Sequence, residues 1–194
     1  NEALECFVRV LALDSSFLEA RLNKALILAE IDQLELATKE FDQVVLLDPN
    51  NQVALFNRGT ALIRLQRFEN ALADFDQLIA LAPNHTGAHF NRSVALMHLG
   101  RPDLAIAGTE RALVNGPADA YVFNNRGQWL QNILRLDEAI ANYERAIKLI
   151  PDFFYAYNNL ISALQFDPSQ SRERLIKTYQ AFARQFETPL KPRW

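Results

Sequence analysis

The chain predicts an all-α solenoid of stacked helix–turn–helix units, and three features of its sequence say so. Asn23, Asn57, Asn91, Asn125 and Asn159 recur at intervals of 34 residues. That is the length of a pair of helices with their turns, repeated as a structural unit. In the same register Ala37, Ala71, Ala105 and Ala139 recur, as do Pro49, Pro83, Pro117 and Pro151. The hydrophobic content of 49% is enough to run one core through the whole array.

With Leu18 as position 1, four complete repeats occupy residues 18–51, 52–85, 86–119 and 120–153. Residues 1–17 read as the second helix of a truncated repeat, with Ala3 at position 20, Phe7 at position 24 and Ser15 near the usual proline. The first residue is Asn and no polar cap precedes it, so the natural protein is expected to continue upstream. Position 8 is small (Ala25, Gly59, Ser93, Gly127), and position 24 is Phe41, Phe75, Thr109 and Tyr143. Antiparallel helices approach to about 8 Å only where the contact residue is small, and an aromatic fills the space where they splay. The prolines end the second helix of each repeat, because proline lacks an amide hydrogen and restricts its predecessor. Asp48-Pro49-Asn50 and Ala82-Pro83-Asn84 are therefore turns.

The third repeat is expected to be the softest, and a possible hinge. Pro102 near the start of its second helix is tolerated, but Gly108 within that helix costs up to about 1 kcal/mol relative to alanine. Thr109 also replaces the aromatic. Residues 154–187 read as a half repeat plus a capping helix outside the period. Tyr155 to Phe166 form a first helix, Asp167-Pro168-Ser169 breaks the repeat, and Leu175, Ile176, Tyr179, Phe182, Ala183 and Phe186 form one helical face. Ser169 or Ser171 caps its start. Residues 188–194 read as a linker.

The alanine–aromatic–proline spacing resembles the tetratricopeptide-repeat family over nearly the whole chain. That resemblance implies a right-handed superhelix whose first helices line a concave groove through positions 2, 5, 6, 9, 12 and 13. The segment from Asn158-Asn159-Leu160 through Phe166-Asp167-Pro168 to Phe182-Ala183-Arg184 resembles a narrower group. It is similar to the junction between repeats and catalytic lobes in bacterial relatives of the O-linked N-acetylglucosamine transferases, whose groove asparagines grip the acceptor backbone. The Asn57-Arg58-Gly59 and Asn125-Arg126-Gly127 runs fit the same group, whereas Phe182 and Ile161 depart from its pattern. The resemblance implies the substrate-recruiting arm of a larger glycosyltransferase. The alternative is a stand-alone scaffold for protein assembly. No catalytic residue carries over to this chain.

The asparagine series occupies position 6, on the groove. A carboxamide both donates and accepts, so it pairs with a peptide group whatever the side chain. The expected ligand is therefore an extended polypeptide, held by Asn23, Asn57, Asn91, Asn125 and Asn159 with Asn124, Gln128 and Asn158 beside them. An inherited structural role, bonding a neighbouring helix or water, remains the competing reading. Leu22, Leu26, Phe56, Ile63, Phe90 and Met97 make the N-terminal surroundings apolar, to accept ligand side chains or to pack. Lys24, Arg58, Arg92 and Arg126 recur at position 7, where stems pack and charges snorkel. Position 2 (Glu19, Val53, Gly87, Tyr121, Tyr155) lacks the basic residues of a clamp for C-terminal carboxylates.

Composition narrows the partners. A net charge of −3 without a basic stripe argues against nucleic acid. No apolar run approaches the roughly 18 residues of a membrane span, and no signal pattern opens the chain. A single cysteine, Cys6, excludes an internal disulfide framework, suits the cytoplasm and reads as a small packing residue. His85, His89 and His98 lack the partners of a metal site, and no phosphate loop or catalytic triad is present. No metal, cofactor or enzymatic activity is expected of these residues. Trp129 reads as core.

Overall fold

A computed structural model of the chain describes residues 2–167 and 170–187, with the backbone alone at Asn115 and Glu187. Ser169 and the linker expected at 188–194 lie outside the described residues. The described residues form eleven α-helices and no strand. The chain divides into two compact units, Asn1–Asn115 and Gly116–Trp194. The first contains α1 (Glu2–Leu13), α2 (Leu18–Glu30), α3 (Leu34–Leu47), α4 (Gln52–Arg64), α5 (Phe68–Leu81), α6 (Thr86–His98) and α7 (Pro102–Asn115). The second contains α8 (Ala120–Asn132), α9 (Leu136–Leu149), α10 (Phe154–Phe166) and α11 (Arg172–Phe182), continued by a π-helical turn over Ala183–Glu187.

Helix boundaries follow local chemistry. Asn51 and Asp119 cap α4 and α8, with Asn51 Oδ1 accepting from Ala54 N (3.0 Å) and Asp119 Oδ1 from Tyr121 N (2.7 Å). His85 does the same work for α6, its Nδ1 accepting from Ala88 N at 3.0 Å. Ser171 caps α11 through Arg174 N (3.2 Å). Each first helix of a complete repeat ends in a left-handed residue at position 15: Asp32 (φ 64°), Gln66 (φ 59°), Gly100 (φ 71°) and Leu134 (φ 62°). The next amide then reaches back to the carbonyl at position 11, as Gln33 N does to Leu28 O and Arg67 N to Leu62 O, both at 2.8 Å. This is the Schellman closure, and only the third repeat uses the glycine that makes it free of strain.

The core lies between the two helices of each repeat. Ala37, Ala71, Ala105 and Ala139 are fully buried, with Phe41, Phe75 and Tyr143 beside them. Gly59 is required: a Cβ there would stand 2.7 Å from Phe75 Cζ. Gly127 repeats the arrangement against Tyr143, at 2.6 Å from Cε1. Burial pushes the Tyr143 phenol well above its usual pKa, and its hydroxyl donates to Gln131 Oε1 at 2.8 Å. The third repeat packs the other way round. Ser93 on α6 takes the small-residue position and faces Gly108 on α7, where an added Cβ would strike Ser93 Oγ first. Gly108 is thus a packing residue as well as a propensity cost. Ser93 and Thr109 are fully buried, with hydroxyls donating to His89 O (2.9 Å) and Ile106 O (2.6 Å).

Three members of the basic series are structural. Lys24 Nζ pairs with Glu40 at 2.7 Å, and Arg92 pairs with Asp76. Arg58 makes a bidentate pair with buried Asp74 (Nε to Oδ2 2.9 Å, Nη2 to Oδ1 2.6 Å) and reaches Asp42 as well. Burial pushes the Asp74 carboxyl above the usual carboxylate range despite the pull of Arg58.

Cys6 corrects the sequence reading. It is exposed: α1 packs chiefly against α2 and buries no residue completely. Trp129 is buried as expected. In the second unit, Phe182 and the π-turn's Phe186 close on Phe154 at 5.5 and 5.4 Å between ring centroids. Ile176 and Tyr179 on the same face of α11 remain 47% and 44% exposed, so that face is only partly covered.

Candidate functional site

The first helices stand side by side within each unit: α2, α4 and α6 in the first, α8 and α10 in the second. Position 6 on every one of them carries its asparagine half-buried at the helix surface. Their bonds differ. Asn57 Nδ2 donates to Val53 O in its own helix at 2.8 Å. Asn91 Nδ2 crosses to Thr60 Oγ1 on α4 at 3.1 Å, and Asn159 Nδ2 crosses to Asn124 Oδ1 on α8 at 2.9 Å. Asn23 and Asn125 make no side-chain hydrogen bond among the described residues. Each of these bonds uses one of two amide hydrogens and leaves the carboxamide oxygen free.

The companions expected in the second unit separate by exposure. Gln128 and Asn158 are exposed, whereas Asn124 is 6% exposed and lies behind the surface as the acceptor for Asn159. Position 5 looks toward the adjacent helix, which explains that burial. Gln131 and Ser162, readable in sequence as part of the amide-rich surroundings of the ladder, bridge adjacent first helices, Gln131 Nε2 donating to Ser162 Oγ at 3.3 Å; Thr60, which accepts from Asn91, escaped the sequence reading.

The apolar surroundings in the first unit are largely structural. Leu22, Leu26, Phe56 and Ile63 are half-buried and pack on the core clusters. Phe56 stacks near His85 (5.1 Å) and meets the edge of Phe75 (6.2 Å), and Gly87 leaves it the room. Beside Asn57 and Thr60, between α2 and α4, a cleft of ≈230 Å³ stays open over Leu26, Ala29 and Arg64.

The three histidines have structural surroundings. His85 caps α6, His89 Nε2 lies 2.7 Å from Pro83 O, and His98 stacks on Phe68 at 4.4 Å. Among the described residues no cluster of His, Cys, Asp or Glu is arranged to hold a metal, and no helix is long and apolar enough to cross a membrane.

Tetratricopeptide-repeat family models match residues 18–51, 56–120 and 120–153, which together make up most of the chain. The chain belongs to the tetratricopeptide-repeat family. Solved tetratricopeptide structures superpose on it over nearly its full length at low sequence identity. MamA shares 19% identity with a TM-score of 0.82, over 91% of this chain and 96% of that one. YrrB, described as a TPR protein with an unusual peptide-binding site, shares 19% identity with a TM-score of 0.75, over 96% and 95%. The C-terminal part of a TPR repeat-containing protein from Cytophaga hutchinsonii shares 16% identity with a TM-score of 0.80, over 94% and 72%. At these identities the likeness concerns the tetratricopeptide fold alone. No curated protein matches the chain.

Proposed function

We propose that this tetratricopeptide protein is a non-catalytic interaction module whose first-helix faces hold an extended segment of a partner polypeptide by its backbone. One observation carries the reading: a carboxamide recurs at the same surface position of every first helix, and its oxygen is left unspent by the fold. Adjacent first helices at ordinary packing distance, about 8–10 Å, bring such a group to an extended chain about every three residues. Asn23, Asn57 and Asn91 do so in the first unit, and Asn125 and Asn159 in the second. Gln128 and Asn158 flank the second set, and Asn124 orients Asn159 from behind. The peptide-binding site named for YrrB supports a ligand of this class.

Hydrogen exchange with and without a pool of random-sequence peptides tests this. Protection is expected on α4, α6, α8 and α10; protection confined to α3, α5, α7 and α9 would move the binding surface elsewhere.

The second reading is a substrate-recruiting arm of a glycosyltransferase, favoured by the likeness of residues 158–184 to the junction in O-linked N-acetylglucosamine transferase-like enzymes. It predicts lobes of alternating strands and helices after residue 194 in the parent protein, and no sugar transfer by this chain alone. A parent without such lobes leaves the stand-alone scaffold.

A further inference from the structure

The second unit's face specifies more than an extended ligand. Positions 2, 6, 9 and 13 make one stripe along a first helix, being three or four residues apart. On α8 the stripe is Tyr121, Asn125, Gln128 and Asn132; on α10 it is Tyr155, Asn159, Ser162 and Phe166. Tyr121 and Tyr155 are 60% and 69% exposed. No Asp, Glu, Lys or Arg occurs in α10, and α8 has only Arg126, at position 7 outside the stripe. The face is therefore aromatic and amide-bearing without charge. In the first unit the same stripe carries Glu19 and Glu30 on α2 and Arg64 on α4.

The spacing of the two stripes decides the conformation they accept. The bonds from Asn159 to Asn124 and from Gln131 to Ser162 hold α8 and α10 together, at the roughly 8–10 Å of packed helices. A β-type peptide repeats its facing every two residues, about 6.7 Å, so the residue that meets the second stripe after three steps points the other way. A polyproline II helix turns once per three residues, about 9.3 Å, and offers the same facing to both stripes. Its carbonyls have no internal partner and can accept from the free amide hydrogens of the carboxamides, whose oxygens accept from water or from the N–H of a non-proline residue in the segment.

Resting on the reading of first-helix faces as peptide grooves, we infer that the α8–α10 face binds an uncharged, proline-rich segment in the polyproline II conformation. Tyr121 and Tyr155 seat successive proline rings, and Asn125, Gln128 and Asn159 donate to the carbonyls between them.

The test uses the 194-residue chain and two uncharged peptides of equal length, an oligoproline of about nine residues and an alternating Thr-Val peptide. Fluorescence anisotropy should show the oligoproline binding more tightly, with little change from low to high salt. Tyr121→Ala/Tyr155→Ala should weaken it about tenfold or more. Tyr155→Ala alone, at an exposed ring, should weaken it without a change in thermal unfolding, and keeps the test readable if the double variant unfolds. Tighter binding of the Thr-Val peptide, strong salt dependence, or undiminished affinity in Tyr155→Ala would overturn the conformational inference and leave the groove standing. Binding of neither peptide, with no protection of first helices by a random pool, would remove both.

Discussion

The first-helix faces of the two units share one address and differ in everything around it. Position 6 is asparagine throughout, yet position 5 is Leu22, Phe56 and Phe90 in the first unit and Asn124 and Asn158 in the second. The aromatic residues move to position 2, where Tyr121 and Tyr155 are mostly exposed beside Phe153 and Phe154, whereas Phe56 packs inward. Because the helix contacts beneath are so alike, Gly59 on Phe75 and Gly127 on Tyr143, the face above can change without disturbing the fold. The backbone-reading group is held constant while its neighbours set what each face prefers.

Breaking the support beneath one face at a time sharpens that comparison. The largest expected effect is in the first unit. Asp74→Ala leaves the Arg58 guanidinium without its bidentate partner and should cost about 3 kcal/mol in urea unfolding. By contrast, Arg135→Ala at the exposed pair with Glu138 in the second unit should cost under about 0.5 kcal/mol. Equal losses would mean that the exposed pair is part of a larger network. Replacing both Arg58 and Asp74 by apolar residues of similar volume should cost much less than Asp74→Ala, since burial already works against the ionised carboxylate.

Next come the glycines. Gly59→Ala and Gly127→Ala drive a methyl into an aromatic ring in each unit and should each lose about 1–3 kcal/mol. Gly108→Ala should lose less, because the atom in its way is a hydroxyl able to rotate. A loss at Gly108 as large as at Gly59 would show that Ser93 is locked. Smaller still is the left-handed turn. Leu134→Gly should gain about 0.5–1 kcal/mol and Gly100→Ala lose about 1 kcal/mol, seen as opposite shifts in thermal midpoint. Finally, amides of α7 should exchange sooner than those of α5, since Thr109 and Gly108 replace the ring and acid of the second repeat. Equal protection would remove the idea of a soft third repeat.

The helices were legible because period, proline and small-residue spacing all point to the same structure. What escaped is set by tertiary geometry. Nothing in Asp32, Gln66 or Leu134 announces a left-handed backbone; the turn imposes it, and only Gly100 signals it. Gly108 looked like a weak point until Ser93 was seen to fill the space it leaves. Cys6 read as a small packing residue, but α1 packs chiefly against α2 and leaves it exposed. At the candidate site, the period gave the five asparagines at position 6, and the family resemblance added Asn124, Gln128 and Asn158 beside them. The burial of Asn124 and the crossings from Asn91 to Thr60 and from Asn159 to Asn124 were not readable, since they depend on how side chains turn between neighbouring helices.

The decisive measurement is binding of a random-sequence extended peptide pool to the chain, to Asn23→Ala/Asn57→Ala and to Asn125→Ala/Gln128→Ala, which break no bond between helices, with thermal unfolding recorded beside it. A ladder that reads backbone predicts weaker binding across many sequences in both variants while the unfolding midpoints hold. Unchanged binding, or midpoints that fall together with it, would contradict that and leave the asparagines a structural role.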